Sequence, residues 1–344
     1  MLPPFSLPEA LGRWQFSPVV TAITVVVAAL YLWGVFRVAR RHPVRPWPRW
    51  RTGMFLGGLL VIVLATESGV GSYDDVLFWD HMIQHLLLIM VAPPMLIAGR
   101  PVTLLMHASR NPVHTWAKRV VRSPVASALT WPPFGIAAYT AVIVGTHLTS
   151  FMNLVMTNEN VHNAEHALYI IVGYLYLLPL VGSEPIRWRL SYPIRLIFLF
   201  IAMPVDAFTG VALGSYTRYP FTLTPGMHRT WGPNPLDGVH IGGAVMWVGG
   251  SAIMFVLIMV IFLAWSRAGQ RADGRGWLES ARRASLEQLT TADVAQAGAA
   301  SAAASGAAAA VRAGRTDIDE DEDQLAAYNA FLARLNQGGQ QAPH

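Results

Sequence analysis

Two histidine pairs, His81/His85 and His162/His166, each stand four residues apart in segments apolar enough to cross a membrane. Residues i and i+4 share one face of a helix, so each pair presents two imidazoles toward one point. Imidazole is the commonest metal-ligating side chain. Ionisable groups inside a membrane are costly and by default mark function. A single histidine at the end of a span, such as His147, or in a loop, such as His228, reads instead as an interfacial residue bonded to water or a carbonyl.

Composition bounds what can position these groups. The chain has 344 residues, 53% hydrophobic and 13% charged, whereas a soluble domain carries about 25% charged residues. That deficit points to an integral membrane protein. There is no cysteine, which excludes disulfides, thiolate zinc sites and iron–sulfur clusters. A metal must therefore use His, Met, Asp or Glu. The net charge of +5 comes from arginines in short loops beside apolar runs, so no nucleic-acid partner is expected. Lys118 is the only lysine and lies in a loop, which argues against a retinal Schiff base.

A helical span needs about 20 apolar residues. Seven stretches qualify, near 18–38, 52–70, 77–98, 125–148, 160–181, 194–214 and 239–265. The expected fold is an all-α integral membrane protein, a seven-transmembrane helix bundle over 18–266. Positive charge follows the first run rather than preceding it, so that run reads as a span and not a cleavable signal. Pro93-Pro94 and Pro204 predict kinks. Glycines of the second span (Gly53, Gly57, Gly58) predict close helix packing, and those of the seventh (Gly242, Gly243, Gly249, Gly250) allow it within the bundle or with a partner.

Basic residues gather in alternate loops: Arg37 to Arg51, Arg100 to Arg122, Arg187 to Arg195, and the flank from Arg267. The other loops hold Glu67, Asp74 and Asp75, then Glu159, then Arg218, Arg229 and Asp237. This bias puts the N-terminus (1–17) outside and the C-terminus in the cytoplasm. Positions 267–344 read as a mostly disordered cytoplasmic tail, low in complexity over 292–314. Within it Leu325, Tyr328, Phe331, Leu332 and Leu335 predict a short amphipathic helix near 322–336.

Depth follows from that topology at 1.5 Å per helical residue. His85 and His166 lie about 10 Å below the outer edge, and His81 and His162 lie above them. His147 ends the fourth span and His240 begins the seventh. Asp206, a mid-span carboxylate, falls level with His85 and His166 and needs a partner, such as a histidine or a bound cation. The candidate metal ligands are thus His81, His85, His162, His166, His240 and Asp206. The graded depth suits a relay. Met203 and Met246 read mostly as packing; Met152, Met156 and Met227 lie in outer segments. His162-Asn163-Ala164-Glu165-His166 matches H-x-x-E-H, a zinc-protease pattern, but in a membrane helix Glu165 reads better as a group that orients an imidazole.

Imidazole with carboxylate or thioether suits copper, zinc or haem iron, and copper fits best on softness. Two other readings stay open. One is a membrane-embedded zinc-dependent hydrolase, in which the metal activates water. The other is a bis-histidine haem b protein.

Asp80-His81-Met82-Ile83-Gln84-His85-Leu86-Leu87, then Ala92-Pro93-Pro94 and Gly99-Arg100-Pro101, resembles the membrane-embedded CtaG family of bacterial cytochrome c oxidase assembly proteins. So do His162 to His166, Asp206 with Gly210, and His240-Ile241-Gly242-Gly243. The resemblance covers roughly 50–265. It implies a multi-pass protein of the bacterial plasma membrane. It also implies a non-enzymatic assembly factor that supplies copper to cytochrome c oxidase subunits. Neither sequence nor resemblance fixes the oligomeric state.

Overall fold

The computed structural model describes residues 3–41, 43, 46–182, 184–222 and 229–270. The expected tail helix, His42, Met227, His228 and His344 lie outside the described residues. Every regular element among the described residues is helical. The long helices are α1 (Pro18–Arg41), α2 (Arg49–Tyr73), α3 (Phe78–Ala108), α4 (Pro132–His147), α5 (Glu159–Val181), α6 (Tyr192–Gly214) and α7 (Pro235–Gln270).

Six of these are long and apolar enough to cross a membrane. The exception is α4, which bends by 68° into Phe151–Thr157 and makes a seventh span only if the two are counted together. The expected run of 125–148 is also broken at its start, where Pro124–Leu129 is a separate helix. Pro132 and Pro133 lack the N–H groups that would continue that helix, so the chain restarts at Trp131. The third helix runs past its expected end at 98. It bends at Gly99-Arg100, where Arg100 takes a left-handed backbone (φ 51°, ψ 57°), and Pro101 restarts it.

α3 is the centre of the bundle and packs on α2, α5 and α7; α5 also meets α4 and α6. α1 is peripheral: 11% of its apolar window is buried, against 67% for α3. The sides of α6 are inverted relative to a soluble helix. Ile197, Phe200, Ile201 and Phe208 face outward, while Asp206 and Thr209 are buried. Apolar side chains outside and polar groups inside is the arrangement a lipid solvent selects.

The crossing of α3 and α5 sets the site. Pro93 has no N–H for the Ile89 carbonyl, and Leu87–Val91 widens into a π turn just before it. Gly173 of α5 sits directly on that Ile89 carbonyl, where any Cβ would overlap it. Gly173→Val is therefore expected to destabilise the bundle by about 3 kcal/mol. An unchanged unfolding midpoint in a detergent titration followed by circular dichroism would reject this. Gly243 likewise meets Gly210 backbone to backbone, so this glycine is used between α6 and α7.

The N-terminal segment lies against the start of α3. The hydroxyl of Tyr73 donates to the Pro3 carbonyl at 3.0 Å. Phe5 packs edge-on against Tyr73 and Trp79 at 5.4 and 4.8 Å. Gln15 N donates to the Glu67 carbonyl at 2.7 Å.

Candidate metal centre

The first turns of α3 and α5 carry the site. On α5, Asn158 caps the helix by accepting from the backbone of Asn160 and Val161. One turn in, His162, Glu165, His166 and Tyr169 follow at spacings of three and four, all buried on one face. On α3, His81, Gln84 and His85 turn the same way. α2 delivers Asp74 and Asp75 immediately after its end. The histidines stack closely: ring centroids are 4.0 Å apart for His81–His85, 5.1 Å for His81–His162 and 4.5 Å for His162–His166.

Hydrogen bonds assign the tautomers. His147 Nδ1 lies 2.8 Å from the Ile143 carbonyl, which can only accept, so Nδ1 carries the proton. His147 Nε2 is then a bare acceptor, and His85 Nδ1, at 3.3 Å, donates to it. His85 Nε2 is left with a lone pair, and it faces Glu165 Oε2 at 3.4 Å. Two acceptors facing each other need a proton or a metal cation between them. His81 Nε2 lies 3.9 Å from the same oxygen.

Gln84 performs the same service for a second group. Its amide nitrogen donates to the Ala65 carbonyl at 2.9 Å and to Asp74 Oδ2 at 2.7 Å. Its oxygen must therefore accept the proton of His166 Nε2, at 2.9 Å. That frees His166 Nδ1 as a lone pair. His162 Nε2 lies 3.6 Å from Asp74 Oδ2, and its Nδ1 lies 3.4 Å from Asp75 Oδ1. Burial pushes the Asp74 carboxyl up to about 7, opposed by His162. The His162 imidazole holds the more exposed Asp75 below the usual carboxylate range.

Two groups of three result: His81/His85/Glu165 and Asp74/His162/His166, each with its ligand atoms within 4.8 Å of one another. Their buried atoms are short of partners. Both nitrogens of His81, Nε2 of His85 and of His162, and both Glu165 oxygens make no hydrogen bond. Such groups are rare and costly in a folded interior. Ligands about an ion held at about 2.0 Å stand about 3.3 Å apart, close to the separations of His85, His162 and their carboxylates. The donor set fits a divalent ion of the copper or zinc kind.

The other expected ligands stand elsewhere. Asp206 accepts from the Tyr139 hydroxyl at 2.7 and 2.8 Å, and belongs to neither group. Its partner is thus a tyrosine, not a histidine. His240 Nε2 donates to the Tyr216 carbonyl at 2.8 Å, and likewise lies in neither group. Met152, Met156 and Met246 are buried in the hydrophobic core.

Three participants were undervalued by sequence reasoning. His147 is fully buried, not interfacial. Tyr169 stacks on His85 at 4.1 Å, and its i+4 offset from Glu165 was the available signal. Gln84, an amide inside an apolar helix between the two histidines, was the other signal.

An uncharacterized protein of Mycobacterium bovis and one of Mycobacterium tuberculosis are each 28% identical to this chain over 283 residues, covering 79% of it. One of Mycobacterium leprae is 27% identical over 273 residues, 76% of the chain. The chain spans about two fifths of the length of these relatives, 42%, 42% and 41%. No solved structure matches. Residues 29–268, most of the described helices and both histidine groups, match the model of one family, and the chain belongs to it: the cytochrome c oxidase caa3 assembly factors.

Proposed function

We propose that this protein binds copper at its buried histidines and supplies it to a subunit of a haem–copper cytochrome c oxidase, without catalysing a reaction itself. The observation that carries this reading is the facing of buried His85 Nε2 and the Glu165 carboxylate at 3.4 Å, where neither makes a hydrogen bond. Membership of an oxidase assembly family supplies the recipient. The protein is read as a seven-span protein of the bacterial plasma membrane. The arginine-rich loops lie in the cytoplasm, so both histidine groups open toward the outer leaflet.

Delivery needs exchangeable ligands near a surface. Asp75 stands exposed at the rim, and Asp74 is buried beside it. His162 links them to His81, whose ring is 5.1 Å away. An ion admitted at Asp74/His162/His166 would pass to His81/His85/Glu165, and return by the same steps. Rings packed this closely leave room for an ion rather than a porphyrin, which weighs against haem.

The test is metal content by mass spectrometry on detergent-purified protein, wild type beside His85→Ala/His166→Ala, with an absorption spectrum of each. The expected result is near-stoichiometric copper in the wild type, at least tenfold less in the variant, and no Soret band. Zinc in place of copper would favour the hydrolase, and a Soret band would favour haem. No metal after copper titration would overturn metal binding altogether.

A further inference from the structure

At the other ends of α3 and α5 from the histidines lies an open cavity of about 430 Å³. Arg100, Arg189 and Arg195 all line it. Arg195 is anchored, with Nε and Nη1 donating to the Leu190 and Leu180 carbonyls at 2.9 and 3.3 Å. Glu184 also lines the cavity, but its carboxylate is already engaged. It accepts from Val102 N, Thr103 N and Thr103 Oγ1 at 3.1, 2.9 and 2.5 Å, capping the restarted helix Pro101–Ala108. Among the described residues no salt bridge reaches any of the three guanidiniums. The remaining walls are largely apolar, from Met106, Ile186 and Trp188. Trp188 is fixed by its indole N–H on the Ser127 carbonyl at 2.7 Å.

We propose that this cavity binds the phosphate of an anionic phospholipid. Planar guanidinium forks match phosphate oxygens in pairs. Basic pockets between helices on the cytoplasmic side are where anionic headgroups lodge. The apolar walls favour a lipid over a free phosphate ion, since they shelter the glycerol and the first acyl carbons. Beside Arg195, α6 presents exposed Ile194 and Ile197, a path for the chain to continue into the bilayer. The site is independent of the histidine groups and of any metal they hold.

Native mass spectrometry of the detergent-released full chain tests this, with titration by phosphatidylglycerol, phosphatidylcholine and inorganic phosphate. Phosphatidylglycerol adducts are expected at concentrations at least tenfold lower than for phosphatidylcholine, whose choline cation the arginines repel. Arg100→Gln/Arg189→Gln is expected to weaken the phosphatidylglycerol adduct at least tenfold. Arg189→Gln alone, which removes no hydrogen bond found among the described residues, gives a smaller loss in a fold that is not in question. Arg119→Gln, outside the cavity, leaves the adduct unchanged. Equal retention of the two lipids, or wild-type retention in both cavity variants, overturns the proposal. An inorganic phosphate adduct without a lipid adduct overturns the lipid and assigns the cavity to the free ion.

Discussion

Glu165→Gln is expected to lower copper affinity by about 100-fold or more while leaving the fold as stable as the wild type. Loss of a group that merely orients a ligand costs about 10–100-fold, and the proposed copper site makes Glu165 a ligand. Its carboxylate faces His85 Nε2 at 3.4 Å and His81 Nε2 at 3.9 Å. The His147–Ile143 bond fixes His85 so that only a lone pair meets it. With neither a metal ion nor a proton between them, that arrangement sets acceptor against acceptor in a buried interior. A glutamine of the same shape donates an N–H to His85 Nε2, which relieves the clash and removes the charge a cation needs. Stability and metal content should therefore move apart, with the unfolding midpoint held or raised and the copper lost. Inductively coupled plasma mass spectrometry paired with a detergent unfolding titration reads both. Retained copper would remove Glu165 from the ligand set, and a fall in the midpoint would mean that the carboxylate serves the fold.

That argument needs residues the sequence showed only by type. The i,i+4 histidine pairs were legible because helical periodicity alone puts such groups on one face. Which faces meet was not, because helix order and rotation come from packing. The approach of Gly173 to the Ile89 carbonyl, made possible by the π turn before Pro93, brings His162 and Glu165 opposite His81 and His85. No local rule links residues so far apart. His147 was discounted because one histidine at a helix end is ordinarily wet. Here the 68° bend after it folds Phe151–Thr157 aside, and the ring is fully buried on His85. Gln84 lay inside the family-like stretch, but its use as the clamp that orients His166 depends on Ala65 and Asp74, which another helix and the loop after it supply. Asp206 was read correctly as a group needing a partner, yet depth alone cannot tell a tyrosine on one neighbouring helix from a histidine on another.

Asp206 yields the second large effect, on stability rather than on metal. Tyr139→Phe is expected to destabilise the bundle by about 3 kcal/mol, because it strips a buried carboxylate of the hydroxyl that both its oxygens share. The site cannot relax easily: Tyr139 is fully buried, Tyr176 packs on its ring at 4.9 Å, and Gly250 backs the carboxylate so closely that a Cβ there would stand 3.3 Å from Asp206 Cβ. Asp206→Asn is expected to cost much less, since an amide can both accept from and donate to the tyrosine. Removing both partners, in Tyr139→Phe/Asp206→Leu, should restore much of the loss, as paired deletion of buried polar groups usually does. A double-mutant cycle that includes Asp206→Leu alone measures the coupling on the unfolding free energy, and copper content measured on these proteins and on Asp206→Asn should stay constant. Coupling near zero would remove the hydrogen bond as a structural tie. Copper lost in Asp206→Asn as fully as in Glu165→Gln would bring Asp206 into the metal centre, and would require α6 to approach α3 more closely than the tyrosine bond now allows.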